Sequence, residues 1–378
     1  MADKVRIGLI GLGFMGTTHF RIYQDLPDAQ VVAVADIDSK RRQGDISTVS
    51  GNIGNADNSI PLNLDGIQSY ADGLEMIRNA ELDMVDICVP TPWHKELILA
   101  ALAAKRHVFS EKPLCRDLQQ MGEMVAALKN SDRFFNVGLC IRAWPEYRHA
   151  REGFQAGKFG NVKCATFRRI SPHLDGGGAW NNWFCKFDMC GGALLDMHMH
   201  DVDAIRYFFG RPQAVTAFGA KALRSDASID HVVANYDFGD GKLITAEGGW
   251  AAAKTVPFEM SFLIICEKAT LQLDNNGYKI HWENGTVETP QVSDPALPTG
   301  WHQELAYFVQ SVKKGIKPDK YQNLEEVVDS FRMVMAEQES IDRKKTIIVQ
   351  YKHRKDTKKH EKKIHGKMMY VKQTSFFP

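Results

Sequence analysis

Between residues 4 and about 140, short apolar runs at 5–10, 31–35, 84–89, 107–110 and 134–138 alternate with stretches of helical period at 14–26, 93–104 and 115–128. Runs that are apolar at nearly every position are buried on both faces, and strands of that kind belong to a parallel sheet covered by helices. The first 140 residues therefore predict a doubly wound α/β domain. The polar stretch 44–63, rich in Gly, Asn and Ser and without a clear period, predicts a loop after the second strand.

Beyond residue 141 the pattern changes. Segments 162–170, 214–220, 231–237, 242–248, 257–266, 269–273 and 278–283 alternate polar with apolar positions and are joined by Asp-Gly, Asn-Gly and Gly-rich turns. Such a meander builds an antiparallel sheet with one face free for helices or for a partner subunit. Helices are predicted near 194–209, 302–314 and 324–341, and a last strand at 346–350. The expected architecture is a parallel-sheet domain over 1–140, an α+β domain with a large, mainly antiparallel open sheet over 141–351, and a tail over 352–378.

A chain of 378 residues with 44% apolar and 25% charged positions has the composition of a globular protein, long enough for two domains with full cores. Its net charge of +1 hides an asymmetry: residues 352–378 hold nine basic and two acidic residues, so a +7 tail follows a body of −6. The body offers no basic face for nucleic acid or an anionic membrane, and the tail, without periodicity, is expected to be solvated. No apolar run approaches the roughly 18 residues of a membrane span. The N-terminus passes directly into a strand, unlike a signal peptide. Seven scattered cysteines read as reduced thiols, so a cytoplasmic location is expected.

The first strand runs into Gly11-Leu12-Gly13-Phe14-Met15-Gly16, which opens a helix. In that context Gly11 permits the tight turn, Gly13 lets a pyrophosphate approach the backbone, and Gly16 lets helix and strand pack closely. Asp36, 25 residues after Gly11, ends the second strand. An acidic side chain there accepts hydrogen bonds from the ribose hydroxyls of NAD and repels the extra phosphate of NADP. NAD is the expected cofactor over NADP, with Arg41 and Arg42 softening the preference.

In an open parallel sheet the ligand lies beyond the carboxyl ends of the strands. Pro90-Thr91-Pro92-Trp93-His94 follows one apolar run and Glu111-Lys112-Pro113 the next; Gly191-Gly192-Ala193-Leu194-Leu195-Asp196-Met197-His198-Met199-His200 comes later. With the glycine loop, these motifs resemble, in order and over residues 4 to about 351, the glucose–fructose oxidoreductase / inositol dehydrogenase / rhizopine-catabolism (Gfo/Idh/MocA) oxidoreductase family. The resemblance implies a Rossmann nucleotide-binding domain. It also implies that Lys112 reaches both the nicotinamide and the substrate hydroxyl, and that Pro113 follows a cis peptide bond. An ammonium there suits the chemistry, because it stabilises the alkoxide that forms as hydride leaves carbon. Pro90, Thr91, His94 and Glu111 join the glycine loop, Asp36 and Lys112 as expected cofactor contacts; for His94 the alternative is a polar helix terminus.

Asp196 and His200 are four apart, so on a helix they share one face, where a carboxylate can orient an imidazole and favour its charged form. In the family an Asp-x-x-x-His pair plays this part, which makes His200 the expected general acid/base and Asp196 its orienter or a substrate ligand. His198 and Asp201 are extra polar groups where many relatives have glycine or an apolar residue. A metal set of Cys185, Cys190, His198 and His200 is disfavoured, because residues two apart lie roughly 200° around a helix, and no metal is expected. Trp180 and Trp183, with Asn181 and Asn182, could hold a sugar by stacking and hydrogen bonding. Arg168, Trp301 and His302 are candidates for the same cleft, as are Arg142 and Tyr147 near the inter-domain crossover.

The expected activity is hydride transfer between NAD and a hydroxyl carbon of a sugar, glycoside or inositol. One alternative keeps the site but oxidises a glycoside at C3 so that elimination cleaves it; the other is a nucleotide-sensing binding protein without catalysis. The family implies a homodimer or homotetramer formed through the second sheet.

Overall fold

The computed structural model describes residues 4–51, 58–173, 183, 185–223, 225–226 and 228–351. The first sheet contains β1 (Val5–Ile10), β2 (Ala29–Ala35), β3 (Gln68–Tyr70), β4 (Met84–Ile87), β5 (His107–Ser110) and β6 (Phe135–Val137), all parallel, in the order β3-β2-β1-β4-β5-β6. Strand order reverses between β1 and β4, which opens a crevice beyond their carboxyl ends. Helices α1 (Phe14–Asp25), α2 (Gly73–Asn79), α3 (His94–Ala103) and α4 (Leu118–Lys129) connect the strands. The sequence pattern missed β3, an edge strand of three residues with no buried position, and α2, which has only two.

After β6, residues 140–143 and α5 (Pro145–Gln155) lead into β7 (Val162–Pro172), the middle strand of the second sheet. Short α6 (Phe187–Cys190) and α7 (Met199–Phe209) follow, then β8 (Ala214–Lys221), β9 (Ile229–Asp237), β10 (Leu243–Ala252), β11 (Glu259–Cys266), β12 (Ala269–Asp274), β13 (Gly277–Trp282) and β14 (Val287–Glu288). Helices α8 (Gly300–Lys314) and α9 (Leu324–Arg343) precede β15 (Ile347–Ile348). The sheet order is β14-β13-β12-β11-β7-β10-β9-β8-β15, antiparallel except where β7 meets β10 in parallel. That parallel pair is what the long excursion through α6 and α7 makes possible, since parallel neighbours need a crossover.

One face of this sheet carries the core with α7 and α9, where Phe167, Phe208, Val232, Ala234, Phe262 and Phe331 are buried. Arg142, fully buried, donates from Nε and Nη2 to Asp203 at 2.8 and 2.9 Å, and Ser330 Oγ donates to the same carboxylate at 2.6 Å. This network ties the crossover to α7 and α9, so Arg142 is an anchor rather than a cleft residue. Tyr147 is likewise interior, its ring stacked on Phe208.

The opposite face is open. Cross-strand pairing lines up Phe218, Val233, Glu247, Arg168 and Ser261 across five strands, and Phe218 is 67% exposed and Leu243 71%. The first sheet gains part of its cover from the far end of the chain: Leu305, Phe308 and Val309 of α8 are buried with Ile7, Leu9, Phe20 and Phe109. No helix among the described residues is long and apolar enough to cross a membrane.

Candidate active site

The carboxyl ends of β1 and β4 open into a cavity of about 680 Å³ that reaches from the glycine loop to the inner face of the second sheet. Gly11 has φ +91°, and a Cβ there would lie 2.5 Å from the Cys88 carbonyl oxygen; a Cβ on Gly16 would lie 1.7 Å from that of Gly11. Only glycine fits either place. Gly13 is the N-cap of α1 and supplies no side-chain cap, whereas Asp72, Asp117, Thr299 and Asn323 cap α2, α4, α8 and α9 by accepting backbone N–H groups. The first-turn N–H groups of α1 are thus left for a ligand, and with the helix dipole they suit a diphosphate. Gly13, Phe14 and Met15 line the cavity above them.

Asp36 also lines it. Its Oδ2 accepts the Leu12 N–H at 2.6 Å and its Oδ1 the Asp38 N–H at 2.8 Å, which fixes the carboxylate while leaving lone pairs for a ribose diol. The residues present therefore fit NAD. Arg41 lines the same end of the cavity and faces Asp38 at 3.8 Å. For Asp36→Ser we expect the ratio of kcat/KM for NAD over NADP to fall about ten- to hundredfold, the worth of a charged hydrogen bond. An unchanged ratio in steady-state kinetics with both cofactors would remove Asp36 from ribose recognition.

Pro90, Glu111 and Lys112 line the cavity, but Thr91 and His94 do not. Thr91 is buried at the start of a single 3₁₀ turn. His94 packs between two backbone carbonyls: Nδ1 lies 2.9 Å from the Pro113 carbonyl oxygen and Nε2 2.7 Å from that of Val89. Burial pushes its pKa down, so the neutral ring donates to one of the two carbonyls. His94 thus sits between the two strand-end loops, against the Val89 carbonyl of one and the Pro113 carbonyl of the other. The Lys112–Pro113 peptide is cis, and Glu111 Oε2 accepts the Lys112 N–H at 3.1 Å.

Lys112 Nζ donates to the Asp196 carbonyl at 2.6 Å and to Asp196 Oδ1 at 3.2 Å. Asp196, expected as the orienter of His200 or as a substrate ligand, thus pairs with Lys112. Residues Leu194–His198 form a π-turn before α7 begins, so the regular four-residue stacking of Asp196 under His200 is lost and the carboxylate turns to the ammonium. His200 reaches the same cavity, and its buried Nδ1 has no hydrogen-bond partner among the described residues. Its pKa is held well below the usual histidine value, first by burial and then by the positive charges of Lys112 and Arg169. A neutral imidazole beside an ammonium is an arrangement that can accept a proton from a hydroxyl while the ammonium stabilises the oxygen.

His198, two residues away, turns instead to Glu337 in the interior, 3.3 Å from Nε2. Arg168 is also relocated: it pairs with Glu247 (2.9 Å) and Glu259 (2.5 Å) on the open face of the second sheet. Its neighbour Arg169 is the buried arginine of the cavity, held by Asp201 at 2.8 Å. Trp183 and Trp301 line the cavity; His302 takes part in the Thr299 cap of α8, and Trp180 lies outside the described residues. Residues not foreseen at the site include Trp93, Trp144, Trp250, Phe258 and Met260. Beneath the glycine loop, His19, Asp86 and Cys88 bring three ligand-type atoms within 4.8 Å of one another. Hydrogen bonds join them: His19 Nδ1 to Asp86 at 2.8 Å, Cys88 Sγ to His19 at 3.3 Å, and Tyr23 Oη to Asp86 at 2.9 Å.

A parallel sheet with an uncapped glycine loop and an acidic end to its second strand, closed over by a second domain, defines a two-domain dinucleotide-binding protein. The chain belongs to the Gfo/Idh/MocA family: residues 5–139 match the model described as "Oxidoreductase family, NAD-binding Rossmann fold", and residues 147–272 match the family's C-terminal domain. Among curated relatives it is 29% identical over 209 residues to a myo-inositol 2-dehydrogenase of Thermotoga maritima, covering 54% of this chain and 55% of that one. The matched stretch thus spans about half the length of that relative. It is 24% identical over 338 residues to a scyllo-inositol 2-dehydrogenase (NAD⁺) of Bacillus subtilis, covering 84% and 89%. The scyllo-inositol dehydrogenase of Lactobacillus casei, solved with NAD(H) and scyllo-inositol, superposes with a TM-score of 0.72 at 22% identity over 92% of this chain and 99% of that one. That likeness establishes the shared fold.

Proposed function

We propose that this protein is an NAD-dependent dehydrogenase acting on a secondary hydroxyl of a sugar, glycoside or cyclic polyol. The observation that carries this reading is the convergence of Lys112, Asp196 and His200, from both domains, on the cavity that also holds the glycine loop and Asp36. NAD, when bound, supplies the two-electron acceptor for the hydride. Lys112 donates a hydrogen bond to the reacting hydroxyl oxygen and stabilises its developing negative charge, and Asp196 holds the ammonium in place. His200, neutral at the start, takes the hydroxyl proton and passes it to solvent after the carbonyl has formed. The names of the inositol dehydrogenase relatives agree with a polyol substrate.

The test is absorbance at 340 nm with NAD and with NADP across inositols, aldoses and glycosides. Formation of NADH from at least one class is expected, and none from any of them would overturn the reading. Cys88, Cys115, Cys140, Cys164 and Cys266 are free thiols, which suits the cytoplasmic location expected from the sequence. The open face of the second sheet, with Phe218, Val233, Leu243 and Leu263 exposed, is the surface through which two copies associate in this reading. Sedimentation should give at least a dimer, and Phe218→Lys with Leu243→Lys should yield monomers. A wild-type protein that sediments as a monomer at micromolar concentration would exclude the association.

A further inference from the structure

We propose that the substrate is a glycoside carrying an aromatic aglycone, with its sugar ring at Lys112 and His200 and its aglycone against the aromatic wall of the second domain. This rests on the dehydrogenase reading and narrows its substrate class.

Five of the seven tryptophans of the chain, Trp93, Trp144, Trp183, Trp250 and Trp301, line this single cavity. The first domain provides the nucleotide groove, so the second-domain lining is what remains for substrate. There the polar lining side chains are Arg169, Asp196, His200, Asp274 and Asn275, and all but His200 are engaged: Asp196 holds Lys112, Arg169 is pinned by Asp201, Asp274 accepts from Gln272 and from the Asn276 N–H, and Asn275 donates to the Phe258 carbonyl. Trp250 does not add a donor, because its Nε1–H is bound to Asp230 Oδ1 at 2.7 Å; it contributes apolar ring surface. Trp183 packs with Trp250 and Met197, the residue after Asp196, so this aromatic surface begins directly beside the catalytic turn. Phe258 extends it past Arg169, whose guanidinium carbon lies 6.0 Å from the ring centroid.

A free inositol has a hydroxyl on every ring carbon, and each must keep a hydrogen-bond partner when it leaves water. A wall of indole, phenyl and thioether groups leaves most of them without one. A glycoside with an aryl group matches the division of the cavity: hydroxyls at the ammonium and imidazole, and a flat apolar ring against aromatic faces, where offset or edge-to-face contacts add to area burial. The stacking of tryptophan on the C–H face of a bare sugar is the competing account. It predicts no gain from an aryl group.

The experiment uses the full chain with NADH bound and measures affinity by calorimetry for phenyl and methyl β-D-glucopyranoside, the corresponding galactopyranosides, and myo-inositol. Turnover of the same compounds is followed with NAD at 340 nm. The better phenyl glycoside should bind at least about tenfold tighter than its methyl counterpart and than inositol. Phe258→Ala and Trp183→Ala, each checked for native circular dichroism, should cut the phenyl-to-methyl affinity ratio at least about threefold. Equal affinities for the phenyl and methyl pairs, or preference for inositol, overturn the proposal; if NADH still forms, the dehydrogenase reading stands without it. A tenfold phenyl preference with no NADH from these compounds or from the wider set of inositols, aldoses and glycosides keeps the aryl wall and overturns the dehydrogenase reading. Binding of none of the compounds overturns the proposal outright.

Discussion

Replacing Lys112 with methionine should lower kcat by about two to three orders of magnitude while NADH binds within about threefold of wild type. The side chain is of similar length, but the charge that faces the reacting oxygen is gone. Asp196, whose Oδ1 and carbonyl oxygen both accept from Lys112, is left without its cation, so some loss of substrate affinity accompanies the loss of rate. Lys112→Arg should not restore activity, because a planar fork cannot replace a point donor in a site shaped for one. Stopped-flow hydride transfer and NADH fluorescence titration separate the two effects. Wild-type turnover in the methionine variant would remove Lys112 from the chemistry.

The second large effect lies at His200. Its alanine variant should lose about two to four orders of magnitude in kcat/KM, again with NADH binding intact. The pH profile carries the sharper expectation. Burial, Lys112 and Arg169 all disfavour the imidazolium, so the folded enzyme keeps His200 in its basic form at neutral pH and down through the ordinary histidine value. Alcohol oxidation should therefore hold its kcat/KM as pH falls from 8 to 6.5 and decline only below that. In Lys112→Met, where one of those charges is removed, the acid limb of the residual activity should move to higher pH. A limb above 6.5 in wild type, or one that shifts downward in the variant, contradicts His200 as the base.

The glycine loop, the acidic end of β2 and the lysine after β5 were legible because each rests on short-range chemistry: a turn that tolerates only glycine, a helix start without a cap, a strand end in a parallel sheet. The facing of Arg168 and Arg169 was legible too, though it was missed. Ala165 and Phe167 share the parity of Arg169, and the two-residue period of a strand turns all three to the buried side. The pairing of Asp196 was not legible. A spacing of four reads as one helical face, and no residue type marks the π-turn that sends the carboxylate to a lysine 84 positions earlier. Most of the aromatic wall was invisible for a similar reason, since Trp144, Trp250 and Phe258 come from separate elements whose meeting depends on tertiary structure.

The helix Gly300–Lys314 crosses from the last third of the chain to lie on the nucleotide-binding sheet, where Phe308 meets Phe109 edge-on at 5.7 Å and Gln310 and Lys313 both donate to Asp28. The exchangeable unit is consequently not the contiguous segment 1–140. A chimera that borrows its cofactor preference from another member of the family must bring residues 300–314 along with residues 1–140, or rebuild the seam around Phe20, Phe109 and Asp28. Recombination at residue 140 alone would mate two surfaces that were never fitted to each other.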